Sequence, residues 1–310
     1  MTDFLISLLG RRFWLLGYAF LAVGFLLPGE WSMLKPLVPV LLGGILFFSF
    51  MRLPFTEIHQ ALTQRRRWVV ASWLAGLKLL AIPVLVWMAL QYVAPAWAAG
   101  LLLVACMPAG LSSIALTDLQ RGDRALALLL VVLTSLLAPL TVPGLMTVLA
   151  HADPDWRLVA ERAIYICALL LIPFTAAQAC RATLPRVVAR YHAQWGMSAI
   201  ACSMVLVAVS ILAVRGSWAG ATVGMLATAL GLTIGASLLT VAVMTLVAPR
   251  LARAEVVAFG CGAIYVNNGL AVAFATRFYP GDPYMVLPAI MIQIPMLGLT
   301  ALLGRHSAKA

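Results

Sequence analysis

Apolar residues fall into ten long blocks separated by short polar stretches: 13–29, 34–51, 68–92, 97–118, 125–149, 159–179, 196–214, 218–247, 256–278 and 284–303. Each approaches the roughly 20 apolar residues that an α-helix needs to cross a bilayer. They are too long and unbroken for the short alternating strands of an outer-membrane barrel. The pattern predicts an all-α integral membrane protein with ten transmembrane helices. The loops leave no room for a soluble domain, so residues 1–310 read as one membrane domain.

Composition agrees. Hydrophobic residues make up 64% of the chain and charged residues only 10%, where a soluble domain carries about a quarter charged. The net charge of +11 would suggest nucleic acid in a soluble protein. Here the cations lie in loops and no basic run is interleaved with aromatics, so no nucleic-acid partner is expected.

The cations sort by side. Arg11, Arg12, Arg52, Arg65, Arg66, Arg67, Arg121, Arg124, Arg181, Arg186, Arg190, Arg250, Arg253, Arg305 and Lys309 fall at the termini and in the even-numbered loops. Lys35, Arg157, Arg162, Arg215 and Arg277 fall on the other side. The positive-inside rule then predicts a multi-pass inner-membrane protein with both termini cytoplasmic. The start of the chain lacks the basic–apolar–small-residue order of a cleaved signal peptide, and none is expected.

Ten spans divide into two sets of five, residues 1–150 and 151–310. An odd number per set makes the second set enter from the opposite side, the condition for an inverted repeat. Helix-breaking interruptions at matching positions in two halves are the best pointer to a transporter site. Span four contains MPAGLSS (107–113) and span nine contains YVNNGLA (265–271), each the fourth span of its half. Two crossing broken helices would aim positive N-terminal ends at one centre, which suits an anion.

The motifs PAGLSS and LTDLQRGD (108–113 and 116–123) and VNNGLAVAFA (266–275) resemble those of the bile acid:sodium symporter family. That family lies in a superfamily that also holds arsenite exporters. The resemblance implies a panel of spans 1, 2, 6 and 7 and a core of spans 3–5 and 8–10. Broken spans 4 and 9 would cross within the core. It implies alternating access carrying a small organic anion, with contacts near Ser112, Ser113, Asn267 and Asn268. Gln293 and Thr134 are further candidates for the cavity lining, and Thr175 and Gln178 are similar. Leu111 stands where sodium-coupled relatives often have Thr.

The departures from the family are informative. Its sodium ligands include an Asn after the span-four serine, a Ser and a Thr on span five, and a Glu and a Gln on span nine. The matching positions here are Ile114, Ala127, Val131, Gly262 and Val266. Their side chains offer no hard oxygen, and of the span-four set only Ser113 remains. Sodium bound in the family's way is not expected.

Span three adds a second departure. The family has a sodium-ligating Gln five residues before a proline, and here Lys78 precedes Pro83 by five. Lys78 lies about ten residues, or about 15 Å, from either end of its span, too deep for its stem to reach the interface. A mid-membrane charge costs roughly 3 to more than 10 kcal/mol and usually faces a cavity or partner. Two roles stay open. A fixed ammonium would replace the bound cation in a uniporter or exchanger, or a titrating one would carry a proton in each cycle. All ten acids lie in loops or at span ends; Asp118 and Glu161 come closest to the interior.

Arsenite export is the second reading, favoured by LTDLQRGDR and by IQIPMLGL (292–299). Those exporters use a span-four cysteine and a span-nine glutamate, where this chain has Ala109 and Gly269, with Cys106 one turn early. A non-transporting receptor or an enzyme is a third. There is no HExxH, GxSxG or phosphate loop, so no enzymatic activity, metal or cofactor is expected. The five cysteines (Cys106, Cys167, Cys180, Cys202, Cys261) form no CxxC pair and read as small buried hydrophobes. The histidines His59, His151, His192 and His306 lie in loops or at the terminus and receive no role.

Overall fold

The computed structural model describes residues 13–29, 31–53, 56, 63–150, 155–218, 220–296 and 298–299. The expectations for Arg11, Arg12, Arg305, Lys309, His59, His151, His306 and the end of span ten fall outside these residues. Among the described residues the fold is all-helical, the one extended pairing being an isolated bridge. Six of the helices among the described residues are long and apolar enough to cross a membrane, and three shorter apolar ones accompany them.

We label the helices α1 Phe13–Leu26, α2 Leu37–Met51, α3 Arg65–Val93, α4 Pro95–Cys106, α5 Ser112–Leu119 and α6 Arg124–Leu149. They continue as α7 Trp156–Thr183, α8 His192–Ala213, α9 Val223–Val247, α10 Arg253–Ile264, α11 Asn268–Phe278 and α12 Pro283–Met291. Predicted spans four and nine are absent from the six long helices because each is two half-helices. Span four is α4 and α5, and span nine is α10 and α11.

Helix starts follow capping chemistry. Asp123, Asp155, Thr222 and Asp282 accept backbone N–H groups from the first turns of α6, α7, α9 and α12, satisfying donors that a helix leaves orphaned. In α3, Pro83 cannot donate to the carbonyl four residues back and its ring crowds that position. The helix widens there into a π turn at Leu77–Ala81, and the Ile82 N–H reaches back to the Leu77 carbonyl. Such bulges often mark functional sites, and this one carries Lys78.

Two packing groups result. α2 packs on α7 and α8, and α8 on α1, forming the panel. The core gathers α3–α6 and α9–α12. Loops predicted to share a membrane face do meet. Arg66 pairs with Glu255 at 3.0 Å and Arg67 with Asp123 at 3.0 Å. The Asp123 N–H also donates to the Ala254 carbonyl at 2.9 Å. These contacts join the starts of α3, α6 and α10 and explain the end of the LTDLQRGD motif. On the panel, Arg181 donates to the Met51 carbonyl. At the other face Arg277 pairs with Glu161 at 3.4 Å.

Candidate functional site

The two breaks are one structure. Ala109 and Val266 form an antiparallel bridge. The Gly110 N–H donates to the Tyr265 carbonyl at 2.7 Å, and the Asn267 N–H to the Pro108 carbonyl at 2.9 Å. Backbone freed from a helix inside a membrane must be satisfied within the protein, and here each break satisfies the other. Gly110 is required by proximity: a Cβ there would lie 3.0 Å from Tyr265 Cδ1 and 3.1 Å from the Tyr265 carbonyl.

Side chains complete the join. Thr134 on α6 accepts the Ala109 N–H at 3.1 Å and donates to the Leu130 carbonyl at 2.6 Å. Asn267 caps α11, its Oδ1 accepting the Leu270 N–H at 3.2 Å. Ser112 and Asn268 open the two half-helices α5 and α11, and the Ser112 side chain bonds that of Tyr265. Ser113 is fully buried, and among the described residues its hydroxyl has no partner. The structure thus brings Ser112, Ser113, Asn267, Asn268 and Thr134 together at the crossing. Gln293 is buried just past α12, next to Ile292, which lines the cavity described below. Thr175 and Gln178 lie apart from this cluster on α7. Thr175 bonds its own helix at Leu171, and Gln178 donates to the Leu53 carbonyl.

Behind the crossing is a cavity of about 30 Å³ lined by Lys78, Ala105, Ser237, Thr240, Val266, Ile292 and neighbouring apolar residues. Pockets for organic ligands are roughly 300–1,000 Å³, so this space fits an ion-sized group or a water or two. Lys78 is 3% exposed. Its Nζ donates to the Ala105 carbonyl at 2.8 Å. Ala105 is the penultimate residue of α4, and its carbonyl is among the last four that the helix cannot satisfy. A cation at a helix C-terminus also meets the negative end of the dipole. Among the described residues no carboxylate lines the cavity; a backbone carbonyl and a helix end take that place.

The positions that the resemblance in sequence sets against the family's sodium ligands are packed with carbon. Ile114, Ala127, Val131 and Val266 are all buried. A Cβ on Gly262 would meet Ala109 Cβ and the Leu130 side chain at ordinary contact distance. On its opposite side the crossing meets the panel. A Cβ on Gly269 would lie 2.7 Å from Leu206 Cδ2 and 3.1 Å from Leu42 Cδ1.

Sequence reading missed four things. The acceptor for Lys78 is a main-chain carbonyl, which carries no residue signal. The π turn was signalled by Pro83. Ser237 and Thr240 belong to a buried hydroxyl stripe with Thr233 on α9, legible as helical spacing of small polar residues. Arg162, counted as a loop cation, is buried.

Comparison with known proteins fits this geometry. A protein of Bacillus subtilis (strain 168), named as the uncharacterized sodium-dependent transporter YocS, is 26% identical over 166 residues, 53% of this chain and 50% of its own length. The chain therefore spans about half the length of the curated relative it matches. The model of the sodium bile acid symporter family matches residues 39–217, which include the α4–α5 break and Lys78. That match covers more than half of the sequence, and the chain belongs to the sodium bile acid symporter family.

Proposed function

We propose that the protein is a secondary transporter of a small organic anion, working by alternating access without bound sodium. Lys78 serves as the built-in cation behind the crossing. Ten membrane crossings in two inverted repeats, 1–150 and 151–310, would lie in the cell inner membrane with both termini cytoplasmic. The observation that carries this reading is the Lys78 ammonium held at 2.8 Å on the Ala105 carbonyl in the last turn of α4, with carbon at the positions that the resemblance sets against sodium ligands.

The chemistry follows from the elements. The positive N-terminal ends of α5 and α11 lie at the crossing, just past its strand-like pair, and favour an anionic substrate there. Ser112, Ser113, Asn267 and Asn268 would present polar groups to it. Thr134 acts through the backbone it holds, and Gln293 lies at the margin. A fixed ammonium keeps the crossing assembled with no ion to bind or release. If Lys78 instead exchanges its proton during the cycle, transport is proton-coupled.

The test needs no known substrate. A ligand that binds only the folded state raises stability by mass action. Melting of the purified protein is followed against sodium chloride, with choline chloride at equal ionic strength, for the wild type and Lys78→Gln. The expected result is no sodium-specific shift in the wild type. A specific sodium shift in the wild type would show rearranged ligands and an ordinary sodium symporter, as the name of the Bacillus relative suggests for that protein. Proton coupling is then read from substrate counterflow in liposomes across a pH range.

A further inference from the structure

Lys78 has a counterpart on the panel. Arg162 lies on the panel helix α7 and is 6% exposed. Among the described residues no carboxylate lies within ion-pair distance of it, and its buried Nε has no hydrogen-bond partner. Its guanidinium instead lies over two rings, 5.7 Å from the centroid of Phe278 and 5.3 Å from that of Tyr279. Both rings belong to the core, at the C-terminal end of α11.

The neighbouring contacts run the same way. Tyr165, one turn along α7, donates to the Ala273 carbonyl at 3.3 Å and meets the Phe278 ring edge-on at 5.4 Å. Glu161 pairs with Arg277 at 3.4 Å. One face of the panel helix is thus fastened to one end of α11. None of the residues lining the Lys78 cavity belongs to α7.

Burying a guanidinium with ring faces as its partners is an incomplete solution. The faces attract it through their quadrupole, but among the described residues they leave its buried Nε–H without the acceptor that a carboxylate or sulfonate would supply. We propose that Arg162 is an anion-binding site that receives the carboxylate or sulfonate of the transported anion at the panel–core seam, where the rings of Phe278 and Tyr279 hold its place in the absence of the anion. This rests on the organic-anion reading above. When the core shifts against the panel, the rings leave with α11 while Arg162 stays on α7. An uncovered cation in an apolar seam is costly, and an arriving anion removes that cost. Movement thereby becomes conditional on substrate.

The test uses the full chain in a neutral detergent. Melting is measured against choline benzoate and choline methanesulfonate, with choline chloride as control, for wild type, Arg162→Gln, Arg162→Lys and Phe278→Leu. The organic anions are expected to stabilise the wild type. Arg162→Gln should raise the half-effective concentration roughly tenfold or more, the loss of a charge-assisted pair. Arg162→Lys should fall between, and Phe278→Leu should respond at lower concentration because a competing face is gone. An equal response of wild type and Arg162→Gln overturns the site and leaves the organic-anion reading standing. If neither responds, the organic-anion reading fails and the site with it. Should Arg162→Gln not fold, Phe278→Leu decides: an unchanged or weaker response overturns the proposal. Stabilisation by phosphatidylglycerol alone would make this a lipid site and overturn it too.

Discussion

Inside the core, neighbouring helices approach until backbone meets backbone; across the seam to the panel they meet through side-chain tips. Gly100 on α4 and Gly269 on α11 show the difference. A Cβ on Gly100 would fall 2.1 Å from the Tyr284 carbonyl and 3.1 Å from Met285 Cα, both backbone atoms at the start of α12. A Cβ on Gly269 would meet the terminal methyls of Leu206 and Leu42, and leucine tips can rotate. The two buried cations follow the same division. Lys78 and its acceptor Ala105 both belong to the core, so they travel together. Arg162 and its two rings belong to opposite sides of the seam. A core that cannot deform beside a seam that can is what alternating access by a moving body requires.

The largest expected effect tests the rigid half of this comparison. Gly100→Ala forces a methyl into a backbone carbonyl that has nowhere to go, and should cost about 3 kcal/mol or more. The expected readout is a loss of several degrees in melting temperature, or no folded protein at all. A variant as stable as the wild type would show that α4 and α12 are not locked together.

Next comes Lys78→Met, which removes the desolvation cost of a buried charge but leaves the Ala105 carbonyl without its donor, so stability should fall by no more than about 1–3 kcal/mol. Transport in liposomes should fall on the order of 100-fold, the consequence of losing an interaction of about 3 kcal/mol in the working cycle. Undiminished transport across a range of pH would remove Lys78 from the mechanism.

The soft half is tested by Gly269→Ala. Leu206 and Leu42 need shift only their tips, so the cost to stability should be about 1 kcal/mol. The added methyl lies between the crossing and the panel, so the rate of transport should change more than the melting temperature does. A collapse in stability comparable to that of Gly100→Ala would erase the distinction between the two regions.

How much of this could be read from the chain differs by kind of feature. The apolar blocks placed nearly every long helix, because in a bilayer length and hydropathy dominate. The breaks at Pro108 and at Asn267–Gly269 were legible because helix breakers are rare residue types in an apolar run. Lys78 was legible for the same reason. Its acceptor was not, because a carbonyl belongs to every residue and only the fold decides which one is left over. Arg162 was misread for a related reason: three charged neighbours, Arg157, Glu161 and Arg277, are exposed, and nothing in sequence spacing separates the buried cation from them. Thr134 stood out as polar in an apolar span. Its bond to the Ala109 N–H depends on α6 crossing behind the break, which no local pattern encodes.

The smallest effect sharpens the sodium question. The Ser113 hydroxyl is fully buried and has no partner among the described residues, and an unsatisfied buried group of this kind costs about 1–3 kcal/mol. Ser113→Ala should therefore be neutral or raise stability by about 1 kcal/mol or less once the lost packing is counted. It is also the last hydroxyl of the family's span-four ligand set, so the same variant reports on cations. If the carbon-lined positions Ile114, Ala127, Val131 and Gly262 truly leave nothing for sodium to bind, wild type and Ser113→Ala will melt alike in sodium and in choline. A sodium-specific stabilisation that disappears with the hydroxyl would mean that Ser113, with backbone carbonyls of the crossing, still holds the ion that Lys78 is proposed to have replaced.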